Sequence, residues 1–312
     1  MRPLMALAVV LALAVGVALV VLSGGSSGGV KAPQIAAAVP RSGTAPPPPH
    51  GAFVLARGDG DLAVALAARR AGSRLQLTGT VIAPDGNGLT GLSVHFVVAG
   101  RRLPPARSCG AGCYASTTAA SPRVRSLSIA LSGHGRAPST VPFALPAHWP
   151  VSAVPLLRAT ERVFGRLRGL VYRERLSSGP KATITSVWRA EAPDRLSYRS
   201  TDGNAGVVIG KTRWDRVVGG GWKRSSQIPP LAMPAPPWQG GAYDVSLLGP
   251  GRLNGRRMLR ISMFEPTTPA WYTVTLERST LRTLSVSMTA AAHFMVDSYT
   301  RFNPARQIKP PV

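Results

Sequence analysis

Past residue 50 the chain is a succession of short runs in which apolar and polar residues alternate, each closed by Gly, Pro, Asn or Asp. A period of two places successive side chains on opposite faces of a strand, so this pattern restricts the folded part to a mainly β architecture. Leu75, Leu77, Gly79 and Val81 alternate with Gln76, Thr78 and Thr80. A "PDGNG" turn follows, and then Leu92, Val94, Phe96 and Val98 alternate with Ser93, His95 and Val97.

Roughly seven such runs fill residues 51–150 without a competing helical period, a spacing that predicts an immunoglobulin-like sandwich. Residues 155–312 open differently. Leu156, Leu157, Thr160, Val163, Phe164, Leu167 and Leu170 recur at three- and four-residue steps, with Arg158, Arg162, Arg166 and Arg168 largely off that face. Behind Pro155 this reads as one amphipathic, basic helix whose apolar face packs on a sheet. Roughly ten strands joined by tight turns then follow, broken by the Pro-rich "IPPLAMPAPPWQGG"; with no strand–helix–strand pattern they predict a single large curled antiparallel sheet.

The last strand-like stretch, Leu284 to Pro304, reads as one long closing strand with a clean period of two. Its even positions are Leu284, Val286, Met288, Ala290, Ala292, Phe294 and Val296; its odd positions include Ser285, Ser287, Thr289, His293, Met295 and Asp297. This alternation puts Met288 and Phe294 on the interior face and His293 and Met295 on the polar one. Imidazole and thioether two residues apart could meet one Cu(I), since soft sulfur suits that ion, although a site needs further donors. Five of the six tryptophans lie in this second part. Trp188, Trp214 and Trp271 fall inside strand patterns and, with Met288 and Phe294, are the candidates to line an apolar-ligand groove. Glu174 and Glu191 stand beside arginines and read as surface ion pairs.

Upstream, Arg2 precedes an uncharged apolar run from Leu4 to Leu22, close to the ~20 residues that span a bilayer as a helix. Residues 1–22 read as a transmembrane anchor or signal peptide, cleavage being open. An anchor gives a single-pass cell-membrane protein with its bulk extracytoplasmic. Residues 23–50, Gly/Ser-rich and then Ala/Pro-rich, read as a flexible linker. In that compartment Cys109 and Cys113, flanking Gly-Ala-Gly, point to a disulfide, with a copper or redox site as the alternative.

The formal charge is +24, from 37 basic and 13 acidic residues. The arginines are scattered and no nucleic-acid-binding motif is present, so nucleic acid is not the expected partner; the charge reads either as an arginine-rich composition with no partner or as attraction to anionic lipid or wall polymer. There is no G-x-S-x-G, H-E-x-x-H or phosphate loop and no paired-carboxylate motif. A catalytic role is therefore not expected.

Two sets of motifs resemble known proteins. "TGTVIAPDGNGLTGLSVHFVV", "CGAGCY" and "FALP" are similar to Ig-like modules of bacterial copper-resistance and copper-transport envelope proteins. "YRERLSSG", "WRAEAPDRLSY", "VVIGKTRWDR", "AWYTVTLERSTLRT" and "MTAAAHFM", behind a leading amphipathic helix, resemble the LolA-like lipoprotein-carrier superfamily. That resemblance implies a half-barrel whose concave face, covered by helices, holds lipid. Together they imply a non-catalytic, membrane-anchored carrier of an apolar ligand that binds lipid or lipoprotein and has no cofactor. The alternatives are an accessory protein that handles copper for a membrane copper transporter, and a structural adaptor of the cell envelope.

Overall fold

The computed structural model describes residues 43–312 apart from 122–123, 181, 239–240, 305–306 and 312. The expected anchor at 1–22 and linker residues 23–42 lie outside the described residues.

The first part holds nine strands: β1 (Phe53–Asp59), β2 (Leu62–Ala71), β3 (Arg74–Ile82), β4 (Ser93–Val98), β5 (Arg101–Arg102), β6 (Arg107–Gly110), β7 (Cys113–Ala119), β8 (Ser126–Gly133) and β9 (Arg136–Ala144). They form a sandwich of two antiparallel sheets, ordered β1-β2-β3-β7-β6 and β5-β4-β8-β9. Its core is built by Phe53, Val64, Leu66, Leu77, Val81, Val94, Phe96 and Ile129. The count exceeds the seven runs read from sequence because β5 and β6 are too short to show a period.

The second part comprises β10 (Val151–Ser152), α1 (Val154–Gly165), β11 (Gly169–Gly179), β12 (Ala182–Glu191), β13 (Arg195–Ser200), β14 (Ala205–Ile209), β15 (Thr212–Arg216), β16 (Lys223–Ser226), β17 (Tyr243–Leu253), β18 (Arg256–Glu265), β19 (Ala270–Glu277), β20 (Thr283–Ala290) and β21 (His293–Phe302). All twelve strands lie in one open sheet, ordered β10-β17-β18-β19-β20-β21-β11-β12-β13-β14-β15-β16, with β10 and β16 at its edges. Helix α1 carries Pro155 in its first turn, has no side-chain N-cap, and buries Leu157, Thr160 and Phe164. With Leu231, Met233 and Trp238 of the Pro-rich loop it covers one face of the sheet, here called the inner face.

The two parts share an apolar seam. Along β1 and β2 the larger residues Phe53, Leu62, Val64 and Leu66 face the sandwich core. Between them Val54, Ala63, Ala65 and Ala67 face Phe264 and Trp271 of the large sheet. Burial on both faces explains why "DLAVALAARR" reads as a nearly continuous apolar run rather than a clean alternation. The small residues allow close approach: a Cβ on Gly58 would stand 3.0 Å from the Phe294 ring.

Two expectations are corrected. Residues 43–50 do not act as a free spacer. Ala45 joins the seam, Gly88 donates its N–H to the Gly43 carbonyl at 2.6 Å, and Gly51 donates to Asp244 Oδ1 at 2.9 Å. The second correction concerns the closing stretch. It is two strands, β20 and β21, joined through Ala291 and Ala292, with Ala292 at φ +50°.

Candidate functional site

Three rows of side chains cross the inner face, set by strand register. The first runs Met263–Tyr272–Met288–Met295–Leu176. The second runs Val286–Asp297–Glu174–Ser186. The third is aromatic, Tyr299–Tyr172–Trp188–Tyr198. Its ring centroids are 5.2 Å apart at Tyr172–Tyr299, 6.0 Å at Tyr172–Trp188 and 4.6 Å at Trp188–Tyr198. Helix α1 closes over this row through Phe164, which meets Tyr299 and Trp238 edge-on.

The middle row puts two carboxyl groups opposite each other in a buried sheet. Glu174 is 6% exposed and Asp297 3%. This corrects the reading of Glu174 as a surface ion pair: Arg173 and Arg175 point to the other face, as alternation along β11 requires. Burial raises the Glu174 pKa from 4.5 to about 7. The Trp188 indole offsets part of that rise, although its N–H falls short of a hydrogen bond. Burial first, and the Glu174 charge second, also hold Asp297 well above the usual carboxylate range. Tyr299 donates to Asp297 Oδ2 at 3.4 Å. Glu174 Oε1, Asp297 Oδ1, Trp188 Nε1 and Trp238 Nε1 are buried without partners.

The candidate residues separate. Trp188 and Met288 lie in the inner-face core. Trp271 and Phe294 lie on the opposite face, in the seam with the sandwich. Trp214, half-buried on β15, pairs in register with Val207 and Arg224. Phe294 therefore does not face inward, and Met295 is not on a polar face; it is 4% exposed within the inner core, directly across from Met288. The reason is the hairpin. A two-residue turn pairs Ala290 with His293, so the even set of β20 continues as the odd set of β21. His293 is half-buried and its pKa is lowered by burial.

Cys109 and Cys113 form a disulfide at the β6–β7 hairpin, in the sandwich and away from the large sheet. Among the described residues no group of three or more His, Cys, Asp or Glu is placed to hold a metal ion. The carboxyl pair was not singled out from sequence. Its signal was parity: Glu174 shares its face of β11 with Tyr172 and Leu176, and Asp297 shares its face of β21 with Met295 and Tyr299.

On the outer face of β11–β14 the C-terminal segment crosses the sheet. Ile308 is buried there, its N–H bound to Glu191 Oε2 at 2.8 Å and its carbonyl to the Arg195 guanidinium. Cavities of about 690 and 410 Å³ flank it, both bordered by Val187, Arg189 and Ile308.

No known protein family matches this sequence, and no curated protein matches it. Solved structures share partial likeness. LprF from Mycobacterium bovis is 10% identical, covering 50% of this chain and 95% of its own, at a TM-score of 0.36. Lipoprotein LppX from Mycobacterium tuberculosis is 10% identical, covering 50% and 97%, at 0.37. A LolA superfamily protein from Nitrosomonas europaea is 10% identical, covering 51% and 96%, at 0.27. At these scores the likeness assigns neither the fold nor the function of this chain.

Proposed function

We propose that this chain is a non-catalytic carrier that holds a lipid-like ligand on the inner face of the twelve-stranded sheet, beneath α1 and the Pro-rich loop. In this reading residues 1–22 tether it to the cell membrane and the folded part works outside the cytoplasm. One observation carries the proposal. The inner face is apolar and covered, yet four buried polar atoms in its core, on Glu174, Asp297, Trp188 and Trp238, have no hydrogen-bond partner. A core that only has to be filled pairs such groups or omits them, because each unpaired one costs about 1–3 kcal/mol. A ligand with an apolar body and a polar head supplies what is missing: the body replaces contacts to Met288, Tyr172 and Trp188, and the head pairs with the carboxyl and indole groups.

The cover is suited to movement. Helix α1 is anchored by three buried residues and joins the sheet edge through the Ala153 N–H to Val245 carbonyl bond of 2.9 Å. Lifting it exposes the aromatic row without breaking a strand pair.

Native mass spectrometry of the full chain, purified from a lipid-containing host, tests this. A lipid-sized adduct is expected, and its retention should fall when Met288→Trp fills the inner face. The bare polypeptide mass alone, before and after incubation with lipid extract, refutes the proposal.

A further inference from the structure

The outer face of the large sheet divides into two halves. Toward β18 and β19 it is aromatic and buried under the sandwich through Phe264 and Trp271. Across β21, β11, β12 and β13 it carries five exposed arginines, Arg173, Arg175, Arg189, Arg199 and Arg301. Register interleaves them with valines. Arg173 lies opposite Val187, which lies opposite Arg199. Arg301 lies opposite Val171, which lies opposite Arg189, and Val296 lies opposite Arg175. Val187 is 43% exposed and Val296 is 40% exposed. None of the five arginines has a carboxylate partner among the described residues.

At the free edge of this same half, the turn after β15 exposes Val217 at 60% and Val218 at 71%, between Arg216 and Lys223. The cavities of about 690 and 410 Å³ beside Ile308 open on this face as well. Water alone favours neither feature. Exposed valines gain nothing from solvent, and arginines gathered on one face without counter-charge repel one another.

We propose that this half-face docks on an anionic phospholipid bilayer, with the arginines on headgroup phosphates and the exposed valines in the interfacial layer. Guanidinium binds phosphate in a bidentate fork, and the apolar layer just beneath the phosphates accepts the valines. A soluble polyanion would neutralise the arginines but would leave the valines against more charge. The surface lies on the side of the sheet opposite the inner face, so docking and ligand binding use different residues.

Partitioning of the full chain to phosphatidylglycerol vesicles, relative to phosphatidylcholine vesicles, tests this. Any contribution of residues 1–22 is then common to every arm. An arginine at an anionic surface is worth about fivefold in partitioning. The triple variant Arg173→Gln/Arg189→Gln/Arg301→Gln should therefore lower the preference for phosphatidylglycerol by roughly 100-fold. The charge-matched control Arg101→Gln/Arg102→Gln/Arg107→Gln, exposed on the sandwich, should lower it less than about fivefold. Val187→Ser/Val296→Ser should weaken vesicle binding at every salt concentration. Equal losses in the two triples show diffuse attraction by net charge and overturn the proposal, as does no loss in either. Unchanged vesicle binding in the valine pair overturns it in favour of a polyanion. Unaltered far-UV circular dichroism and retained lipid adduct in all variants show that the fold and the inner face are intact, so failure here is distinct from failure of the carrier proposal.

Discussion

Replacing Glu174 by Gln removes a carboxyl group that the fold buries beside Asp297 while leaving the shape of the side chain nearly unchanged. In the folded chain burial raises this pKa from 4.5 to about 7. The folded state therefore holds the proton more tightly than the unfolded state, and the sign follows: the contribution is harmless below about pH 4.5, and stability is lost as pH climbs through about 7. A rise of that size corresponds to ~3 kcal/mol. Asp297 is shifted in the same direction, by burial and by the Glu174 charge, and adds to the loss. Urea unfolding followed by far-UV circular dichroism at about pH 5 and about pH 8 reads the difference. The parent chain should lose ~3 kcal/mol or more between the two, and Glu174→Gln should recover about that amount at the higher pH while matching the parent at the lower. Glu174→Gln/Asp297→Asn should be flatter still. An identical pH slope in parent and Glu174→Gln would show that the carboxyl is not held protonated in the core, and the reasoning about the middle row would fail with it.

Three further outcomes are expected. Trp271→Ala empties part of the seam and should cost about 3–5 kcal/mol in urea unfolding, whereas Trp214→Ala, half-buried on an edge-proximal strand, should cost under about 2 kcal/mol. Gly58→Val should destabilise the seam because its side chain meets the Phe294 ring at the first carbon, and Phe294→Ala in the same chain should restore part of the loss; no rescue would place Phe294 elsewhere. Protein made in an oxidising compartment should show no free thiol on labelling, and Cys109→Ser/Cys113→Ser should lower stability by about 2 kcal/mol, the chain-entropy value for so short a loop.

Much of the architecture was legible because strand alternation and helical period are local. The helix behind Pro155, the β content, the sandwich followed by a large antiparallel sheet, and the burial of Trp188 and Met288 all follow from residues within a few positions of one another. The disulfide was legible as one of two chemistries, since Cys109 and Cys113 flank a turn that brings them together. What failed to show was the break after Ala290. Turns announce themselves through Gly, Asn or Asp at positive φ, and here Ala292 takes that conformation without the usual residue. A period of two survives a two-residue turn, but its phase does not. The inward face therefore passed from Phe294 to Met295, Asp297 and Tyr299 with nothing local to mark it.

The division of labour on the large sheet belongs to tertiary structure alone. Glu174 beside Arg173 and Arg175 has the local look of a surface charge pattern, and only the cover of α1 and the Pro-rich loop makes its face an interior. Trp271 and Trp188 are equally apolar and equally strand-borne in sequence. One packs under the sandwich and the other under the helix, because residues far apart in the chain decide which side of each strand is dry. Alternation by itself determined that this chain has two-faced strands. Which face meets water, which meets the first module and which is left to a ligand was decided by long-range packing, since burial depends on what arrives from elsewhere and no local period records it.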